Sequence, residues 1–115
     1  PMRPRERERV RYARELIERD LQNPPNLLDL ARSVGLPHPK LNYFFREEYG
    51  TTVFGYLRTI RLNKAKMLLN EGVMNVSEAA YEVGYSSLSH FAKAFKNQFG
   101  EVPVNYLRNT SNKYQ

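Results

Sequence analysis

The chain has 115 residues, 41% of them hydrophobic, with a formal net charge of +6 and no cysteine. It is long enough for one compact domain or two very small ones, and the missing thiols exclude a disulfide framework, a thiolate zinc ribbon and a cysteine nucleophile. No apolar run approaches the roughly 20 residues that span a bilayer, and the Arg/Glu-rich start is neither a signal nor a transit peptide. The expectation is therefore a cytoplasmic protein without membrane contact, and Met2 following Pro1 suggests a piece of a larger parent. The excess of basic residues favours a polyanionic partner.

Taken in order, Val10, Ala13, Ile17 and Leu21 recur at helical spacing and predict a helix over residues 4–22. Its other face alternates Arg and Glu, with Arg7, Arg11 and Arg14 near acids such as Glu15 and Glu18, the pattern of a solvated, ion-paired face. Asn23-Pro24-Pro25 stops it. Asn26 caps a short helix with Leu27, Leu30, Ala31 and Val34 on its apolar side, ended by Gly35. Pro39 suits the first turn of the next helix, which runs to residue 49, buries Leu41, Phe44, Phe45 and Tyr49, and closes at Gly50. Thr51 or Thr52 caps a long helix over residues 53–70, about 27 Å in length, with Tyr56, Leu57, Ile60, Ala65, Leu68 and Leu69 inside. Asn75 or Ser77 then caps a helix with Val76, Ala79, Ala80 and Val83, ended by Gly84. A helix over 87–99 buries Phe91, Ala94, Phe95 and Phe99 and closes at Gly100. Pro103 opens a last short helix with Tyr106 and Leu107. The tail from Asn109 is polar and is expected to fray. The fold class is all-α, with about seven helices.

The pattern is an internal repeat. NLLDLARSVG at 26–35 aligns without gaps on NVSEAAYEVG at 75–84, an offset of 49. One extra residue in the turn shifts the offset to 50. Phe45 then meets Phe95, Arg46 meets Lys96, Tyr49 meets Phe99, Gly50 meets Gly100, and Tyr56-Leu57-Arg58 meets Tyr106-Leu107-Arg108. Shared apolar spacing alone would be weak evidence. Caps, turn glycine, closing glycine and the Tyr-Leu-Arg block repeating in order make chance a poor explanation.

Each repeat is a short helix, a glycine turn and a second helix. Ala31 and Ala80 are small enough for the second helix to cross closely over the first. This is the helix-turn-helix plan, whose second helix enters the DNA major groove. The expected organisation is a first helix-turn-helix subdomain over 1–50, a linker helix over 51–72, a second subdomain over 73–108 and a tail over 109–115. Two such units would present two reading heads about 34 Å apart, one turn of DNA.

Val-Gly-Tyr at 83–85, Ser-His-Phe at 89–91, Phe-Lys at 95–96, Phe-Gly at 99–100 and Pro103, after the Ala-rich helix, resemble the signature of the AraC/XylS transcription regulators. The resemblance covers residues 26–108 and is specific as a combination. It implies DNA-binding transcription regulation, usually activation, with RNA polymerase as a partner and an N-terminal sensor or dimerisation domain elsewhere in the parent. Lys40-Leu41 and the block from Gly50 to Leu57 look like regulators of siderophore and iron uptake.

Candidate DNA-reading residues are the solvent-facing positions of the two second helices: His38, Pro39, Lys40, Asn42, Tyr43 and Arg46 in the first unit, and Ser86, Ser87, Leu88, Ser89, His90, Lys93, Lys96 and Asn97 in the second. Asn42 suits a bidentate pair with adenine, and Lys93 suits guanine O6 and N7. Tyr43 suits a phosphate or a thymine methyl, and Leu88 a thymine methyl. Lys96 and the serines suit phosphates, which fix register without reading sequence. Many members of the resembled family carry a long basic or amide side chain near Pro39 and Tyr43, and this chain departs from them there. The basic residues concentrate accordingly: the stretch 52–70 holds Arg58, Arg61, Lys64 and Lys66 and no acid. Arg61 could instead brace the long helix.

Other readings fit less well. The two histidines stand 52 residues apart, and neither has metal-ligand spacing or a nucleophile placed for it, so no enzyme, metal or cofactor is expected. A helical protein-interaction module, or a non-specific RNA or membrane-surface binder, would need no second copy of a helix-turn-helix unit.

Overall fold

The computed structural model describes residues 2–108, and the polar tail expected from Asn109 lies outside the described residues. Among the described residues all regular structure is helical: α1 (Pro4–Arg19), α2 (Leu27–Val34), α3 (His38–Tyr49), α4 (Val53–Glu71), α5 (Val76–Glu82), α6 (Leu88–Phe99), and a 3₁₀ turn at Pro103–Tyr106. The chain divides into two compact units, Pro1–Arg58 and Thr59–Gln115, so that α4 contributes its first turns to one and the remainder to the other.

In the first unit, Val10, Ala13 and Ile17 of α1 are buried together with Leu30, Ala31 and Val34 of α2, Leu41, Phe44 and Phe45 of α3, Leu36 and Val53. α1 stops three residues short of the expected end. Asp20 Oδ1 accepts the N–H groups of Gln22 at 3.1 Å and Asn23 at 3.0 Å, a local turn that competes with another helical turn. Asn26 Oδ1 accepts the Asp29 N–H at 2.9 Å and so caps α2. Gly35 takes the left-handed conformation at φ 75°, and Leu36 N–H returns to Ala31 O at 3.1 Å.

In the second unit the buried set is Leu62, Ala65, Leu68 and Leu69 of α4, Ala79 and Ala80 of α5, Val83, and Phe91 and Phe95 of α6. Asn75 is the cap of α5, in a full capping box: its Oδ1 accepts Glu78 N–H at 2.8 Å and Glu78 Oε1 accepts Asn75 N–H at 3.0 Å. The turn repeats that of the first unit, with Tyr85 N–H returning to Ala80 O at 2.9 Å. Arg108 N–H donates to Leu69 O at 3.0 Å and ties the end of the unit to α4. The last helical element is 3₁₀ rather than α. Asn105 N–H bonds Val102 O and Leu107 N–H bonds Val104 O, both three residues back.

The two units share an aromatic frame. Phe45 lies 4.7 Å from Tyr49 and 5.5 Å from Tyr56, with Tyr49 and Tyr56 5.9 Å apart. Phe95, Phe99 and Tyr106, each 50 residues on, repeat this at 4.6, 5.5 and 6.0 Å. A cation lies over each trio: Arg14 at 5.3 Å from the Tyr49 ring, and Lys66 at 4.9 Å from Phe99 and 5.0 Å from Tyr106. The stripe expected along α4 differs in detail. Leu62 is fully buried, whereas Tyr56, Leu57 and Ile60 are only half-buried, because the buried positions do not keep one register along this helix.

Candidate nucleic-acid interface

α3 and α6 each bury one side and leave the other to solvent. On α6 the inward positions are Phe91 and Phe95; Ser89, Lys93 and Lys96 are exposed. At spacings of four and three residues these three form one row on the outer face. His90 and Asn97 flank it, Leu88 is half exposed at the start of the helix, and Ser86 is exposed just before it. Among the described residues Lys93 and Lys96 have no ion-pair partner, so both ammonium groups are available to an anion. Ser87 has a structural task. Its Oγ accepts the His90 N–H at 3.2 Å and caps α6, leaving only its hydroxyl hydrogen for a phosphate.

The matching row on α3, 50 residues earlier, is Pro39, Tyr43 and Arg46, all exposed, with His38 beside them at the helix start. Tyr43 is 62% exposed, which suits contact rather than packing. Pro39, Asn42, Tyr43, Arg46 and Thr52 line an open concavity of about 210 Å³. Two of the expected contact residues are already engaged. Lys40 Nζ stands 3.8 Å from Glu6 Oε2 and 5.7 Å from the centre of the Phe44 ring. Asn42 is half-buried, and its Oδ1 accepts the Val53 N–H at 3.0 Å. A bidentate adenine contact needs that same oxygen.

Neighbouring groups hold α3 in place. Arg9 Nη1 donates to Gly35 O at 2.9 Å, bracing the turn between α2 and α3. Arg7 Nε reaches Glu48 Oε2 at 3.1 Å, so one of the two acids at the end of α3 is paired. Exposed Glu47 remains on α3 where the second unit has Asn97, a difference visible in the repeat. Of the basic residues of α4, Arg58 and Lys64 are exposed, with the Arg58 guanidinium 6.0 Å from the Phe54 ring centre. Arg61 lies 6.0 Å from the centre of the Tyr85 ring, and burial draws its guanidinium pKa below the usual value. Lys66 covers the Phe99–Tyr106 pair. The last two therefore pack the second unit, as the sequence allowed for Arg61 alone. The contacts missed in the sequence, Arg9 to Gly35 and Asn42 to Val53, join residues 26 and 11 apart, beyond the reach of any local pattern.

Among the described residues no cluster of three or more His, Asp or Glu side chains could hold a metal ion, and no helix is long and apolar enough to cross a membrane.

A helix-turn-helix domain family model matches residues 30–109. The chain is 35% identical over 94 residues to the HTH-type transcriptional regulator GlxA of Rhizobium meliloti, which covers 82% of this chain and 29% of that protein. It is 45% identical over 69 residues to the regulatory protein PchR of Pseudomonas aeruginosa, covering 60% of this chain and 23% of that one. The chain thus spans less than a third of the length of either relative. Among solved structures, an AraC-type DNA-binding regulator from Chromobacterium violaceum superposes with a TM-score of 0.80 at 27% identity, covering 87% of this chain and 89% of that one. The chain therefore belongs to the AraC-type helix-turn-helix family of DNA-binding transcription regulators.

Proposed function

We propose that the chain reads double-stranded DNA sequence-specifically, with α3 and α6 each inserted in a major groove. One observation carries this reading: the outer rows Pro39–Tyr43–Arg46 and Ser89–Lys93–Lys96 occupy equivalent positions of the repeat and are exposed. Lys93 reads guanine O6 and N7, Tyr43 contacts a phosphate or a thymine methyl, and Leu88 approaches a thymine methyl. Lys96, Arg46, Ser86, Ser87 and Ser89 hold phosphates, with His38, Pro39, Lys40, His90 and Asn97 at the rim. The two helices contribute unequally. α6 presents two unpaired lysines and no acid, whereas α3 carries exposed Glu47 and has Lys40 and Asn42 engaged within the protein. Base discrimination therefore rests mainly on α6.

Selection of binding sites from a random duplex library at about 150 mM salt tests the reading, because this ionic strength suppresses purely electrostatic binding. Two short blocks about 10 base pairs apart are expected, the better-defined one belonging to α6. Failure to enrich any motif, with weak binding that salt abolishes, would leave a basic helical module that docks protein partners.

For the parent protein we propose an activator of iron or siderophore uptake genes, acting in the cytoplasm through RNA polymerase and governed by an N-terminal sensor or dimerisation domain. Support comes from Lys40-Leu41 and the Gly50–Leu57 block, which look like those of siderophore and iron-uptake regulators. Deletion of the parent gene should abolish iron-dependent expression of its targets, and unchanged control would sink the proposal.

A further inference from the structure

The two halves of the repeat differ at a pair of positions that touch in the first unit. With the offset of 50, Asn42 falls on Ala92 and Val53 falls on Pro103. Val53 is the first residue of α4 and is buried, so its N–H is one of those a helix start leaves without an intrahelical partner. Asn42 Oδ1 supplies the acceptor, 3.0 Å away. At the matching place in the second unit stands Pro103, also buried, which opens the 3₁₀ turn and has no N–H to satisfy. The residue of α6 matching Asn42 is Ala92, which has no side-chain acceptor. Donor and acceptor are thus both present in one unit and both absent in the other.

We infer that Asn42 is a positioning residue of the first reading helix, holding α3 to the start of α4 instead of reading a base. The inference rests on the proposal that α3 faces DNA. The hydrogen bond joins two walls of one concavity, since Pro39, Tyr43 and Arg46 come from α3 and Thr52 immediately precedes α4. It therefore fixes where Tyr43 and Arg46 stand relative to the first turn of α4. It also orients the amide: Oδ1 is turned to the start of α4 with one lone pair held by Val53 N–H, so the NH₂ group is the freer side to meet a ligand. An adenine contact through both amide atoms would require Oδ1 to serve a second donor while held there, or to turn away and leave a buried N–H unpaired, which is costly.

Three chains test this: the unmodified protein, Asn42→Ala, and Asn42→Ala combined with Val53→Pro, which recreates the Ala–Pro pair of the second unit. Each is melted and run through duplex-library selection. Asn42→Ala should melt at a lower temperature, in keeping with one unpaired buried donor, and should bind every duplex about three- to tenfold more weakly as α3 loses its hold on α4, while selecting the same motif. Adding Val53→Pro should restore both melting temperature and affinity. Loss of preference for adenine at one position, unrepaired by Val53→Pro, would make Asn42 a base reader and overturn the inference. An unchanged melting temperature for Asn42→Ala would overturn it as well. If the unmodified chain selects no motif, the DNA reading itself fails, and rescue of melting by Val53→Pro still decides whether Asn42 holds α3 to α4.

Discussion

Tyr56 donates its hydroxyl hydrogen to Glu18 Oε1 across 2.7 Å, joining α4 to α1 within the first unit. Burial, first, and then the hydrogen bond and negative charge of Glu18 push the phenol pKa up from 10.0 to about 12. A group whose folded pKa is raised stabilises the fold fully below its unfolded pKa and ceases to do so as pH climbs through the folded value. Melting temperature should therefore fall between about pH 10 and pH 12. Tyr56→Phe should fall less steeply over that window, and ultraviolet titration should lose one late tyrosinate. An identical pH profile for the two chains would show that Tyr56 does not carry the effect.

Lys93 and Lys96 lie in the same outer row but are assigned different tasks, and mutation separates them. Lys93→Ala should relax preference at a single position, since a good base contact is worth about 1–3 kcal/mol of discrimination. Lys96→Ala should weaken all duplexes alike and reduce the slope of log K against log salt by about 1. Binding isotherms on matched and mismatched duplexes at several salt concentrations report both, and an unaltered site preference for Lys93→Ala would refute its assignment.

Ala80 is 1% exposed on α5, where the sequence anticipates a close crossing by the second helix of the motif. Ala80→Leu should overpack that site at a cost of about 1–3 kcal/mol and lower the melting temperature by at least about 4 °C. A melting temperature equal to that of the parent chain would mean that the crossing has room to spare.

Gly50 and Gly100 close α3 and α6 at φ 76° and 78°, donating their N–H groups to Arg46 O at 2.8 Å and Lys96 O at 2.7 Å. A Cβ at either position would meet nothing within 4 Å, so backbone conformation is the only penalty. Alanine at each should cost about 1–2 kcal/mol in urea denaturation, and asparagine less, because it tolerates the left-handed region. Equal costs for alanine and asparagine would assign the penalty to something other than backbone conformation.

Much of this architecture is written locally. Asn26 and Asn75 stand directly before their helices, the closing glycines fall where φ turns positive, and Phe45 and Phe95 repeat with their neighbours in order, so caps, turns and both aromatic cores are legible. What escaped was non-local or out of register. Leu62 is out of register with Tyr56, Leu57 and Ile60 but stands three and seven residues before Ala65 and Leu69, and it is fully buried with them. Asp20 ends α1 through its own side chain before the prolines are reached. On the reading helices, burial pattern identified which side faces out, but not that Lys40 meets Glu6 or that the Asn42 oxygen is spent on Val53. Side-chain amides and ammonium groups choose among partners brought near by folding, and a linear pattern does not carry that choice.

The duplicated aromatic frame has an evolutionary consequence. Phe45, Tyr49 and Tyr56, like Phe95, Phe99 and Tyr106, hold each unit together from positions other than the outer rows Pro39–Tyr43–Arg46 and Ser89–Lys93–Lys96. Changes in those rows need not disturb the rings, and each half carries its own set. On the proposal that both rows read DNA, a lineage built on this chain can drift toward a new operator one half-site at a time, keeping a working grip on the old half while the other is retuned.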